Sequence, residues 1–232
     1  MSKSHIDIVL AKNNLDGFVI RKEIFKAVYE NLFLFKGKVL DSGCGSMPYK
    51  EFILSNNNVT DYVGLDIESA IDYQNVKPDF LWDGITMPFQ NDSFDIVIST
   101  EVLEHVPNPD IYLAEVKRVL KPGGSFFFTV PFLMSLHEIP HDYYRYTPYA
   151  LELIFKRAGF TEINIKPMGG YNAAMAHMMG LWVNKYLWGR KKKIMAFFLK
   201  PVIGYLYKKD KSAINFNKPT MMVGLKGTVI KP

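Results

Sequence analysis

The sequence predicts a doubly wound α/β fold of Rossmann-like type, and three observations carry that prediction. Short apolar runs alternate with segments of helical period, the pattern of a mostly parallel sheet covered by helices on both faces. One run, Phe94–Thr100 (FDIVIST), is almost wholly apolar, as a strand buried on both faces must be. Another, residues 38–41, ends on Asp41 and enters the turn Gly43-Cys44-Gly45. Glycines there permit positive φ and a close approach of backbone to ligand.

The elements follow in order. Ile24, Phe25, Val28, Leu32 and Phe35 recur at helical spacing and predict a helix over 21–35. Residues 38–41 form the first strand. A short helix is expected over 48–54, with Pro48 in its first turn. Residues 62–67 (YVGLDI) and 79–83 (DFLWD) read as the second and third strands, ending at Asp66 and Asp83, and 94–100 as the fourth. A helix over 109–120 would turn Ile111, Leu113, Val116, Val119 and Leu120 to the core. Lys121-Pro122-Gly123-Gly124 should stop it before a fifth strand, 125–131 (SFFFTVP). Thr147 caps a helix over 147–158, Pro148 opens it and Gly159 closes it. Residues 161–166 and 221–231 are the last strands, and no internal repeat is visible.

With 232 residues, 48% of them hydrophobic and 14% aromatic, the chain can bury the core of one large α/β domain, and global disorder is excluded. The lone Cys44 excludes an internal disulfide framework and a cysteine-rich zinc site, and reads as a small packed residue. Residues 1–15 carry Asp7 and Asn13-Asn14 where a secretory leader would need an apolar run. Nor is there an uncharged apolar stretch of about 18 residues. The expected location is cytoplasmic. Charge is uneven: residues 168–211 hold nine Lys/Arg against Asp210, a local charge of +8, and the remainder of the chain is −3.

An acid at a strand end followed by Gly-X-Gly is a weak signal alone. Asp66 strengthens it, ending the next strand 25 residues after Asp41, where a carboxylate can accept both ribose hydroxyls of a nucleoside. Asp83 ends the third strand, in reach of an adenine amino group. At this point VLDSGCG, YVGLDI, WDGITMPFQNDSFDIVISTEVLEHV and AEVKRVLKPGGSFFFTVP, in that order, resemble the successive motifs of class I S-adenosylmethionine-dependent methyltransferases of the type 11-like group. The resemblance covers about residues 37–166. It implies a seven-stranded sheet with the last strand antiparallel, and S-adenosylmethionine across the carboxyl ends of the first four strands. Asp41, Gly43 and Gly45 would then surround the methionine half of that cofactor. Asp66, with Ile67 beside it, would hold the ribose, and Asp83 with Gly84 the adenine. Ser99 or Thr100 would face the cofactor from the fourth strand. Many members carry a further glycine where this chain has Met47, so Pro48-Tyr49 is expected to shape the turn in its place.

Methyl transfer is an in-line displacement, so the protein must position the acceptor and, for a hydroxyl, take its proton. The segment HEIPHDYYRYT, residues 137–147, follows the fifth strand, where loops of this architecture carry specificity. It resembles a His-X-X-Pro-X-Asp-Tyr-Tyr-Arg-Tyr-Thr segment of a methyltransferase subfamily associated with bacterial surface-polysaccharide biosynthesis. His137 or His141 is the candidate base, with Asp142 and Arg145 beside them and Tyr143 and Tyr144 toward the substrate. The plainer reading packs the tyrosines and pairs Asp142 with Arg145. His105 lies either near the substrate or in a structural turn before Pro107. No metal site is expected, because Pro140 opposes a helix presenting both His137 and His141.

Residues 169–211 are basic and aromatic, with apolar stretches too short to span a bilayer. They suit interfacial helices at an anionic membrane face, a lid or oligomer interface, or nucleic acid. The apolar content of 194–207 argues against nucleic acid. The expected layout is an N-terminal helical segment (1–36), a methyltransferase core (37–167), a helical insertion (168–218) and the core's final strand (219–232). The leading functional expectation is a cytoplasmic O-methyltransferase, peripheral on the inner membrane face, acting on a saccharide or lipid-linked glycan. Its alternatives are methylation of a small apolar acceptor such as a quinone or secondary metabolite, and a non-catalytic methyltransferase-like subunit.

Overall fold

The computed structural model describes residues 5–67, 76–212, 216–218 and 220–232. Among these, seven strands form one sheet: β1 (Gly37–Ser42), β2 (Val59–Ile67), β3 (Phe80–Trp82), β4 (Phe94–Thr100), β5 (Leu120–Pro131), β6 (Thr161–Met168) and β7 (Gly224–Ile230). Their spatial order is β3-β2-β1-β4-β5-β7-β6, parallel from β3 through β5, with β7 antiparallel to both of its neighbours. The register pairs Asp41 with Gly64 and Ile98, and Thr100 with Thr129, so the strands' carboxyl ends share one edge.

Alternate residues of the central strands feed two cores. Val39, Ile96, Ile98 and Phe127 pack under α1 (Leu15–Asn31), α2 (Lys50–Leu54), α5 (Tyr171–Leu181) and α6 (Gly189–Lys208). Leu40, Val97, Phe126 and Phe128 pack under α3 (Pro109–Val119) and α4 (Pro148–Arg157). This two-sided burial is why the strands read as continuous apolar runs. Thr147 caps α4 by accepting from the Ala150 N–H, with Pro148 in the first turn.

Several expectations are corrected. α1 begins at Leu15 rather than 21, because Leu15, Phe18 and Val19 are buried against the C-terminal helices. α2 starts at Lys50, leaving Pro48 in the preceding turn. In α3 it is Tyr112, not Ile111, that enters the core: its ring is buried and its hydroxyl meets two serines, while Ile111 is exposed. Lys121–Gly124 does not separate helix from strand but lies within β5, as an irregularity where Gly123 and Gly124 bond to Lys231.

Residues 171–208 lie between β6 and β7 as α5, a π-helical turn (Trp182–Tyr186) and α6, which continues through Pro201. The expected start of the final segment at 219 lies outside the described residues. No helix among the described residues is long and apolar enough to cross a membrane. α5 rests on α1 at Gly180, where a Cβ would sit 2.0 Å from the Leu15 carbonyl oxygen. Gly180→Ala is therefore expected to cost about 1–3 kcal/mol by forcing the two helices apart. A calorimetric scan should show Tm lowered by several degrees.

Candidate functional site

The first half of the site is the turn after β1. The N–H groups of Gly43 and Cys44 donate to the Leu65 carbonyl at 2.8 and 3.1 Å, and the Gly45 N–H donates to Asp66 Oδ2 at 2.8 Å. Asp66 Oδ1 accepts from the Ile67 N–H at 2.8 Å, so one carboxylate ties the turn to the end of β2. Gly43 has φ +78°, and a Cβ on it would lie 2.3 Å from Val102 Cγ2. Met47, standing where the family pattern has glycine, keeps a left-handed φ of +51°. Its thioether fills the space over Gly64, where a Cβ would come within 2.6 Å of Met47 Sδ. Thus Met47 itself adopts a backbone conformation that glycine takes most easily.

Asp41 is 3% exposed. Tyr62 donates its hydroxyl to Asp41 Oδ2, while Oδ1 is buried with no hydrogen-bond partner. Burial pushes its carboxyl up to about 7 against the stabilising bond from Tyr62. Cys44 is packed, and burial raises its thiol pKa. Asp83 is exposed, and its Oδ1 accepts from the Ile85 and Thr86 N–H groups at 2.8 and 3.0 Å, which hold it below the usual carboxylate range. Gly84 follows with φ +80° and open space beside it. Tyr112 places its hydroxyl 3.0 Å from Ser42 Oγ and 3.1 Å from Ser99 Oγ, so Ser99 is engaged with α3. Thr100 ends β4 opposite Thr129.

The second half joins the loops after β4 and β5. Glu101 has φ +55°, and its N–H donates to the Thr129 carbonyl at 3.0 Å. Its Oε1 is buried without a partner, and burial pushes its carboxyl up to about 7. Glu104 is fully buried, neither carboxylate oxygen has a hydrogen-bond partner, and burial followed by the charge of Glu101 drives it well above the usual range. Its backbone carbonyl receives the N–H groups of Tyr143 and Tyr144 at 2.9 and 3.2 Å, locking the two loops together.

The Nε2 atoms of His105 and His137 stand 3.7 and 3.9 Å from Glu104 Oε1, and the rings meet edge-on at 4.7 Å. Burial lowers the pKa of His105. Arg145 grips both oxygens of Asp142 at 2.6 and 2.7 Å and holds that carboxyl down to about 2. Asp142 in turn accepts from the His137 N–H at 3.0 Å. His141 stands apart: its Nδ1 is 3.1 Å from the Tyr143 hydroxyl.

The structure therefore gathers His105, His137, Asp142 and Arg145 and adds Glu101 and Glu104, which sequence reasoning passed over although both lie in the quoted STEVLEHV run. Tyr62 and Tyr112 are further unanticipated partners of the strand ends. A cavity of about 270 Å³, lined by Glu30, Asn31, Phe33 and Lys226 among others, lies against β6 and β7, away from these groups.

Residues 40–128 match the family described as "Methyltransferase domain". This segment is similar to methyltransferase domains. Over 111 residues the chain is 32% identical to the ubiquinone biosynthesis O-methyltransferase of Pasteurella multocida, covering 40% of this chain and 45% of that protein. Over 99 residues it is 31% identical to the fatty-acid O-methyltransferase of Mycolicibacterium smegmatis, covering 40% and 36%. The chain thus spans less than half the length of these relatives. Among solved structures, a SAM dependent methyltransferase from Archaeoglobus fulgidus superposes with a TM-score of 0.59 at 15% identity, covering 95% of this chain and 97% of that one. The Haemonchus contortus phosphoethanolamine N-methyltransferase 2 gives 0.53 at 16% identity, covering 97% and 61%. These likenesses show a shared methyltransferase fold.

Asp41 supplies a pH test of this domain. A carboxyl raised in the folded state favours folding below its unfolded pKa, near 4, and that contribution is lost as pH rises toward 7. Asp41→Asn should remove up to about 1.4 kcal/mol per pH unit of that slope between those limits. Urea titrations at stepped pH measure it.

Proposed function

We propose that this chain transfers a methyl group from S-adenosylmethionine to a hydroxyl of an apolar or lipid-linked acceptor. The observation that carries the reading is the buried, unpartnered Asp41 Oδ1 beside a glycine turn that admits no Cβ at Gly43, with Asp66 closing the next strand. These residues fit the cofactor: Asp41 offers an acceptor to its amino group. Asp66, beside Ile67, keeps spare lone pairs for ribose hydroxyls. Asp83 and Gly84 would take the adenine, and Thr100 would flank the middle of the site. The bound cofactor supplies a methyl already activated on a sulfonium. What is left for the protein is to orient the acceptor, exclude water and help the hydroxyl lose its proton. The Glu104–His105–His137 cluster is the end of the site suited to that task, with Asp142 and Arg145 holding His137 in place. Tyr143 and Tyr144, both exposed, would meet the acceptor.

Two observations support an apolar acceptor. The similar proteins bear the names of O-methyltransferases of ubiquinone biosynthesis and of fatty acids. And α6 carries Ile194, Phe197, Phe198, Val202 and Tyr205 exposed on one stripe, Phe197 and Phe198 each 60% exposed. Ala196 and Ile203 bury its opposite side. A helix apolar on both sides that carries Arg190–Lys193 in its opening turns suits an anionic bilayer surface. A saccharide enters this reading as part of a lipid-linked molecule.

Calorimetry should detect S-adenosylmethionine binding, and Asp66→Asn should weaken it about ten-fold or more. No binding at millimolar cofactor would reject the reading. With an accepted substrate, His137→Ala should lower kcat by about 10²-fold or more at unchanged cofactor affinity. Full-length protein should float with anionic liposomes, and a Phe197→Ser, Phe198→Ser double variant should lose flotation while still binding cofactor.

A further inference from the structure

The geometry points to a site for a divalent transition-metal ion of the zinc class, held by Glu104, His105 and His137. Their ligand atoms all lie within 4.8 Å of one another, and Glu104 Oε1 faces Nε2 of His105 at 3.7 Å and of His137 at 3.9 Å. The hydrogen bonds on the far side of each ring say which nitrogen is free. His105 Nδ1 is 2.7 Å from the His141 carbonyl, an acceptor, so the ring proton belongs there and Nε2 presents a lone pair. His137 Nδ1 lies 3.2 Å from the Ser135 carbonyl and 3.4 Å from Asp142 Oδ2, with the donor Arg145 Nη2 farther off at 3.5 Å; the two nearer acceptors take the ring proton and leave Nε2 as a lone pair too.

In its ionised form Glu104 adds a third acceptor to the two imidazole lone pairs, and this fully buried carboxylate has no hydrogen bond. A cation resolves that arrangement. Ligand atoms around a tetrahedral zinc-class ion, at about 2.0–2.1 Å from the metal, stand roughly 3.3 Å apart. The two glutamate–histidine spacings of 3.7 and 3.9 Å need contraction by about half an ångström, and the histidine pair, within 4.8 Å, closes by side-chain rotation of up to roughly 1.5 Å.

The surroundings match such a site. Ligating imidazoles characteristically donate their other N–H to a carbonyl or carboxylate, as both rings do here. Asp142 is fixed by both arms of Arg145, so it can hold the His137 ring. Nitrogen ligands favour the later first-row ions over magnesium or calcium. The two histidine side chains are 20% and 27% exposed, which gives an ion a path from solvent and leaves a coordination position open. That position suits an oxygen ligand, either water or the acceptor hydroxyl. Its use by an acceptor rests on the methyl-transfer reading, whereas binding of the ion does not.

Full-length protein stripped with a chelator and titrated with cobalt(II) should develop the visible absorption of a nitrogen- and oxygen-ligated ion at one equivalent, and zinc should displace it. Glu104→Gln, His105→Ala and His137→Ala should each abolish the band or weaken binding at least a hundred-fold. Asp142→Asn should weaken it about ten-fold. His141→Ala, which keeps its backbone carbonyl, should bind as the parent does. Circular dichroism and cofactor calorimetry show that each variant is folded. Absence of a cobalt band in parent protein that binds S-adenosylmethionine would overturn the metal site and leave the methyl-transfer reading standing. A band insensitive to His105→Ala and His137→Ala would also overturn it. A cobalt-binding protein that ignores S-adenosylmethionine would keep the site and remove that reading.

Discussion

Gly43 can carry no side chain because Val102, from the loop after β4, occupies the space where its Cβ would be. That contact joins the two halves of the site. The turn after β1 must coil tightly to place backbone N–H groups on Leu65 and Asp66, and in doing so it brings Asp41 to the same edge as the Glu101–His105 loop. The parallel register makes this geometry available, since strands running together deliver their loops together. A single methyl at position 43 would push against the segment that presents Glu104 and His105.

The cost of the arrangement is electrostatic. Asp41 and Glu104 are buried and Glu101 half-buried at one end of the sheet, each pushed up by loss of water, and each has a carboxylate oxygen without a donor. A structure that served only stability would pair such groups or replace them. Arg145, a cation facing this end, spends its hydrogen bonds on Asp142, nearby carbonyls and His137 Nδ1 rather than on the glutamates. Unpaired buried carboxylates beside a turn shaped for close approach are therefore best understood as groups awaiting ligands.

The C-terminal helices bind the rest of the chain to this scaffold. α5 lies against α1 at Gly180, and Tyr207 of α6 donates to Glu23 of α1 at 2.8 Å. Asp210, just beyond α6, accepts from the N–H groups of Gly170 and Ala173 at the start of α5. The same helix that completes one core thus exposes Phe197, Phe198 and Tyr205 on its other side.

By itself, the sequence determines the strand order of chemistry: acids ending β1 and β2, glycines after β1, the Thr147 cap, and the apolar strands that two-sided burial demands. These roles depend on residues close in the chain, so spacing reveals them. It also singled out His137, Asp142 and Arg145 from one loop. Tertiary structure alone decided which partners meet them. Tyr112 reaches Ser42 across 70 positions and Tyr62 reaches Asp41 across 21. Glu104, read in sequence as part of a motif, becomes the buried centre of a cluster only when the β5 loop folds over it. Met47 replaces an expected glycine, and only the empty space over Gly64 shows how its side chain is accommodated. Pairings between distant elements depend on volume and register, and neither is written in local spacing.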